Sequence, residues 1–172
     1  MKELTIAIAG NPNVGKSTIF NALTGANQHV GNWPGKTVEQ KTGQFKQKGI
    51  QFNLVDLPGT YSLSAFSPEE VIAREFIIQE NLDIVVIVAD AANLERNLYL
   101  TVQILEMGVP AILLLNMMDA ADSRGIQINT AVLQQKLGIP VITAVARKSG
   151  GLQDMINAII RLANVEEPHA IA

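Results

Sequence analysis

Short, continuous apolar runs alternate along this chain with segments whose apolar residues recur at helical spacing. Residues 4–9, 82–89 and 109–115 are apolar runs, interrupted only by Thr5 and Asp83. Runs of that kind suit central parallel strands covered on both faces, because a strand with one wet face would alternate apolar and polar positions. Residues 38–46 and 50–57 read as a hairpin turning through Lys48 and Gly49, and 139–144 as a last strand. Helices are predicted over 16–23, closed by Gly25, over 94–107, with Gly108 past the end, and over 152–163. Two more carry their own start signals. Ser67, Pro68 and Glu70 form a capping box with proline at the first helical position, opening a helix to about residue 80. Asn129 or Thr130 starts another, which Gly138 stops. Six strands and five helices with mostly helical crossovers predict an α/β fold, an open six-stranded, mostly parallel sheet wound on both faces.

Length and composition narrow this only slightly. With 172 residues there is room for one domain with a sizeable core, expected over 1–165. Residues 166–172, which include Glu166, Glu167, Pro168 and His169, read as a frayed tail where a longer protein was cut. The apolar runs fall far short of the ~20 residues needed to span a bilayer, so this fragment is not expected to cross one. No basic-then-apolar leader opens the chain. The absence of cysteine excludes disulfides and thiolate metal sites and is compatible with a reducing compartment. Thirteen basic and 16 acidic residues, a net charge of −3, argue against nucleic acid as the main partner.

Chemistry enters with residues 10–17, which match the pattern G-x-x-x-x-G-K-[ST] between a predicted strand and a predicted helix. A glycine-rich turn at that junction lets successive backbone N–H groups converge on a phosphate at the positive end of the helix dipole. Gly10, Asn11, Pro12, Asn13, Val14, Gly15, Lys16, Ser17 and Thr18 would form the loop. Lys16 would reach the β- and γ-phosphates, and the Ser17 hydroxyl would ligate Mg²⁺. Asn116, Met117, Met118 and Asp119 cap the buried strand at 109–115. A carboxylate there can accept from N1–H and the exocyclic amine of guanine. Adenine offers no such donor pair, and leaving the acid unpaired costs about 1–3 kcal/mol. Asn116 would tie this strand end to the phosphate loop, and the Met117 stem would cover the base plane. Between these motifs stand Asp56, Leu57, Pro58 and Gly59 at another strand end. Asp56 would hold Mg²⁺ through water and the Gly59 N–H would meet the γ-phosphate, with Thr37 as the hydroxyl completing the metal shell. Four elements in this order point to a P-loop GTPase of the Ras-like kind.

Residues 10–25 are shared by several translation-factor-like GTPases. Residues 29–39, including Gly31, Asn32, Trp33, Pro34 and Gly35 before Thr37, are more specific, as are 56–63, 90–100 and the methionine at 117. Together they resemble the cytosolic G domain of the ferrous-iron transport protein B family, over residues 3 to about 163. The resemblance implies a bacterial inner-membrane protein with the G domain on its cytoplasmic face. A small helical domain and a transmembrane Fe²⁺-carrying region would follow, and an oligomer is allowed. It implies a first switch at Gly35, Lys36, Thr37, Val38 and Glu39. It also implies a guanine-backing loop at Val145, Ala146 and Arg147, whose N–H groups would meet the guanine O6. Ala146 stands where a serine is commoner.

One catalytic element is missing: Thr60 follows Gly59 where Ras-like enzymes carry a water-orienting glutamine. By the same resemblance a K⁺ compensates, held by Asn13 with carbonyls of Gly31 and Trp33. Lys16, Asn13, Thr37 and Gly59 are thus the expected catalytic set, with GTP or GDP, Mg²⁺ and K⁺ as cofactors. His29, His169, Met107, Met117, Met118 and Met155 are read as solvated or packing residues rather than iron ligands. Two other classes share part of the pattern. A ribosome-assembly GTPase of the Era type would bring an RNA-binding appendage and more positive charge. A nucleotide-dependent binding module would hydrolyse GTP only incidentally.

Overall fold

Parallel strand runs flanked by helices assemble into one seven-stranded sheet with helices on both faces. The computed structural model describes residues 1–79, 81–148 and 150–163. The expected tail at 166–172, the domain limit at 165 and the expected helix end at residue 80 lie outside the described residues. The strands are β1 (Lys2–Gly10), β2 (Gln28–Asn32), β3 (Glu39–Gln47), β4 (Ile50–Asp56), β5 (Ile84–Asp90), β6 (Ala111–Asn116) and β7 (Val141–Thr143), in the spatial order β2-β3-β4-β1-β5-β6-β7. Strands β4, β1, β5, β6 and β7 run parallel, and β2 and β3 are antiparallel additions at one edge. The helices are α1 (Lys16–Thr24), α2 (Pro68–Gln79), α3 (Leu94–Glu106), α4 (Met118–Ser123), α5 (Thr130–Leu137) and α6 (Leu152–Leu162).

Alternation within the buried strands decides which helix covers which face. Leu4, Ile6 and Ile8 of β1, with Ile84, Val86 and Val88 of β5, pack in one cluster with Ile19 and Phe20 of α1 and Met155, Ile156 and Ile159 of α6. The intervening Ala7, Ala9, Val85 and Ile87 pack on the other face with Ile72 and Ile77 of α2 and Leu100 and Ile104 of α3. Both faces are dry, which is why these strands read as unbroken apolar runs. Truncating such a residue to alanine costs about 2–5 kcal/mol.

Local signals hold the ends as the sequence leads one to expect. The Glu70 N–H donates to Ser67 Oγ at 3.1 Å, and the Ser67 hydroxyl donates to Glu70 Oε1 at 3.2 Å. Asn129 Oδ1 accepts from the Val132 N–H at 3.1 Å to start α5, and Gly138 ends it at φ 72°. Gln47 pairs with Ile50 across Lys48 and Gly49, which take φ 51° and 73°, the two positive values of a type I′ hairpin turn.

The sheet has seven strands rather than six. Strand β2 has one large apolar residue, Val30, which is itself half exposed. It forms by pairing with β3 from Gln28↔Gly43 to Asn32↔Glu39, not by burying a face. Helix α4 is likewise an addition, six residues opening directly out of the motif at Asn116. Strand β7 is only three residues long, shorter than its apolar run.

Candidate functional site

The carboxyl ends of β1, β4, β5 and β6 lie along one edge of the sheet, where ligands bind in open α/β folds. From β1 the chain turns through the phosphate loop into α1. Asn13 takes φ 63° and Gly15 φ 99°, which curls the backbone N–H groups inward. Neither loop glycine can carry a side chain. A Cβ on Gly10 would sit 2.6 Å from the Val88 carbonyl oxygen, and one on Gly15 would run into the Asn116 amide.

Beside this cradle the Lys16 ammonium lies 3.5 Å from Asp56 Oδ1, both side chains nearly buried. Burial pushes the Asp56 carboxyl above its ordinary value, and the positive charges of Lys16 and Lys41 offset this only in part. Asp56 Oδ1 and Asn11 Oδ1 are buried oxygens without a hydrogen-bond partner. Asp56 Oδ1 has Lys16 as an ion-pair partner at 3.5 Å but no hydrogen bond. Hard carboxylate oxygen held this way at the end of β4 suits a hard cation such as Mg²⁺, so the donor set fits the metal expected there. Among the described residues no group of three or more His, Cys, Asp or Glu could hold a metal ion.

The segment after β4 rests on the phosphate loop. The Thr60 N–H donates to the Gly10 carbonyl at 3.1 Å, and a Cβ on Gly59 would lie 3.1 Å from Pro12 Cα. Thr60 is buried. The segment expected to be the first switch is folded as the closed end of the β2–β3 hairpin. The Trp33 N–H donates to the Val38 carbonyl and the Lys36 N–H to the Trp33 carbonyl, both at 2.9 Å. Pro34 and Gly35, at φ 70°, occupy the turn between them. The Trp33 ring is buried, edge-on to Phe76 of α2 at 5.4 Å, with its indole Nε1 lacking a partner. Thr37 and Asn13 are exposed, while Gly31 stands in the β2 ladder opposite Gln40. Of the three residues expected to hold K⁺, two therefore belong to a strand pairing or a turn in this conformation.

At the far end Asn116 is buried and doubly engaged. Its Nδ2 donates to the Val14 carbonyl and its Oδ1 accepts from the Ala146 N–H, each at 2.9 Å. One amide thus joins β6, the phosphate loop and the loop after β7. Met117 takes φ 60°, turning the chain so that Asp119 falls in the first turn of α4. A cavity of about 540 Å³ opens here, lined by Gly15, Thr18, Asn116, Met117, Asp119, Ala120, Ser123, Val145, Ala146 and Arg147. Burial works upward on the Asp119 carboxyl. The hydrogen bond and charge of Arg147, with the Ala120 N–H, outweigh it and hold the acid below the usual carboxylate range. The Arg147 guanidinium pairs directly with Asp119 Oδ2, a contact that no spacing in the sequence announces. Asp90, within the specific stretch at 90–100, caps the turn after β5 through the Ala92 N–H at 2.8 Å and the Asn93 amide at 2.7 Å.

The fold, with a G-x-x-x-x-G-K-S turn between β1 and α1, is that of a G domain of the P-loop GTPase class. The sequence profile of the family described as "Ferrous iron transport protein B" matches residues 4–159. The Fe(2+) transporter FeoB of Shigella flexneri is 50% identical over 176 residues, covering 98% of this chain and 23% of the relative. The chain thus spans about a quarter of that relative's length. The FeoB G domain of Methanococcus jannaschii superposes with a TM-score of 0.85 at 48% identity, covering 95% of this chain and 99% of that one. The cytosolic domain of the T. maritima FeoB iron transporter in its GMPPNP form has a TM-score of 0.91 at 45% identity, covering 98% and 67%. This chain belongs to the ferrous iron transport protein B family, and its fold is that of the family's G domain. Among the described residues no helix is long and apolar enough to cross a membrane.

Proposed function

We propose that this chain binds GTP and GDP at the edge formed by β1, β4 and β6. It hydrolyses GTP slowly, as the cytosolic regulatory domain of a bacterial ferrous-iron membrane transporter. The observation that carries the reading is Asn116, whose amide bonds to Val14 and Ala146 link the phosphate cradle to the pocket containing Asp119. The two ends of a guanine nucleotide would be held at a fixed separation by that bridge. T. maritima FeoB cytosolic domains solved in GDP and GMPPNP forms support the same ligand class.

Each residue then has a task. The loop N–H groups from Asn13 to Ser17 cradle the phosphates, and Lys16 turns from Asp56 to the β- and γ-oxygens. Asp119 takes the N1–H and amine of guanine, and the Arg147 backbone N–H faces its O6; the Ala146 N–H, expected to share that task, is instead held by Asn116 Oδ1. Ser17, Thr37 and, through water, Asp56 would hold Mg²⁺, which when bound supplies positive charge to the β- and γ-phosphates. The Gly59 N–H meets the γ-phosphate. Thr60 is short and buried, so no side chain at that position orients the attacking water. Turnover in Mg²⁺ alone is then of the unassisted Ras order, ~10⁻⁴–10⁻³ s⁻¹. K⁺ at Asn13 would add charge where it accumulates in the transition state, with Gly31 and Trp33 carbonyls joining once the hairpin end opens.

Single-turnover GTP hydrolysis in KCl and in NaCl tests the whole reading. Hydrolysis several-fold faster in KCl, with Asn13→Ala removing the difference, is the expected result. GTP bound but not turned over in either salt would leave a passive nucleotide switch in place of an enzyme.

A further inference from the structure

The Asp119 carboxylate, which the reading above assigns to guanine, has an internal occupant. Arg147 Nη2 pairs with Asp119 Oδ2 at the mouth of the pocket, with about 71% of the arginine side chain exposed. The two residues come from different elements, Asp119 from the first turn of α4 and Arg147 from the 3₁₀ turn Ala146–Lys148. That turn is held from behind. The Ala146 N–H is bound to Asn116, the Lys148 N–H donates to the Val145 carbonyl at 2.9 Å, and Val145 pairs with Gly150.

The chemistry of the occupant matters. The edge of guanine that a carboxylate reads, N1–H, C2 and the exocyclic amine, is itself a guanidine fragment. Arg147 therefore offers Asp119 the same kind of planar N–H donors that the base would offer. Guanine needs both carboxylate oxygens, and one of them is already taken. A neutral or a singly donating side chain at 147 would not compete in this way.

We propose that Arg147 is an intramolecular competitor for the guanine-reading carboxylate, so that guanine nucleotides must displace its guanidinium to seat the base. This rests on the assignment of the pocket to guanine. The competition touches the base and not the phosphates. It slows association and weakens apparent affinity by the fraction of time the pair is closed, and it leaves dissociation of the seated nucleotide unchanged. An exposed ion pair sets the scale, about a two- to five-fold effect. Because such pairs are screened, the effect shrinks as salt rises.

Stopped-flow association of a fluorescent GDP with the parent chain, Arg147→Ala and Arg147→Gln, at rising choline chloride, tests this. Both variants are expected to associate about two- to five-fold faster at low salt, with the variant-to-parent ratio falling toward one at high salt. Inorganic pyrophosphate, which lacks the base, is expected to bind all three proteins equally. Faster GDP dissociation in the variants would show that Arg147 clamps the base instead and would overturn the proposal. Unchanged association, or an equal gain for pyrophosphate, would overturn it as well. A parent chain that binds pyrophosphate but shows no preference for GDP over ADP would instead remove the guanine assignment beneath it.

Discussion

Replacing Asn116 by alanine tests how much of the site rests on one buried amide. The side chain is 4% exposed and makes two hydrogen bonds of 2.9 Å, one to the Val14 carbonyl and one from the Ala146 N–H. Each is worth about 0.5–1.5 kcal/mol net, and each buried partner left unpaired costs about 1–3 kcal/mol. Water that enters the space left by the side chain recovers part of this, so a loss of about 2–4 kcal/mol in unfolding free energy is expected. For a domain of this size that is a fall of roughly 4–16 °C in Tm. Guanine nucleotide affinity should drop further than stability alone requires, because the cradle and the loop at 145–147 lose their common anchor. Asn116→Asp separates the two bonds: it keeps an acceptor for Ala146 but sets a carboxylate against the Val14 carbonyl. Urea unfolding and GDP calorimetry on both variants give the comparison. If Asn116→Ala unfolds like the parent and binds GDP as tightly, the bridge carries neither stability nor geometry, and the argument for a preset two-ended site is wrong.

The remaining predictions use other parts of the edge. Asp119→Asn should weaken GDP and improve xanthosine diphosphate, whose 2-oxo group accepts where guanine donates, and calorimetry with both ligands checks it. Thr37→Ala should slow GTP hydrolysis far more than it weakens GDP, because Thr37 is exposed at a hairpin end rather than packed; an equal loss of GDP affinity would make it a structural residue. Asp56 and Asp119 should tilt the stability of the nucleotide-free chain against pH in opposite directions. The raised folded value of Asp56 means the folded chain binds that proton more tightly, so its contribution to stability declines as pH rises from the ordinary carboxylate value to the folded one. The lowered value of Asp119 contributes stability above the unfolded value, lost as pH falls through the folded one. Denaturation from pH 3 to 7 should accordingly show Asp56→Asn abolishing a decline and Asp119→Asn abolishing a gain.

What could be read in advance was whatever the chain encodes locally. The doubly covered strands, the Ser67–Glu70 cap, the Lys48–Gly49 turn and the order of the nucleotide motifs all follow from nearest-neighbour chemistry. Strand β2 was hidden because its reason for existing is the unpaired edge of β3, and Gln28–Asn32 carries almost no apolar signal of its own. Helix α4 was hidden by its length, since six residues hold less than two turns of periodicity. Asn116 was legible as a tie to the phosphate loop because its place after a buried strand leaves it few other partners. Arg147 was expected to act through its backbone, and its guanidinium on Asp119 depends on the separate paths of α4 and the loop after β7. Trp33 reads as a packing residue on a loop, but nothing in the sequence names Phe76, 43 residues later, as its contact.

That last contact gives the domain an optical handle. The chain contains one tryptophan. Its indole is buried where the closed end of the β2–β3 hairpin, the proposed first switch, meets α2, beside an aromatic ring and with Nε1 unbonded. Tryptophan emission from this domain, excited where Tyr61 and Tyr99 do not absorb, therefore comes from a single junction. A rearrangement that admits water to the indole, or moves α2 away from the β2–β3 hairpin, changes the polarity around that one fluorophore with no label attached. Thr37 lies four positions after Trp33, at most about 14 Å of extended chain. Thr37 can travel within that radius while the indole stays seated, and only a longer excursion uproots it. The wavelength of one emission band consequently distinguishes a switch that pivots on its anchor from one that leaves it.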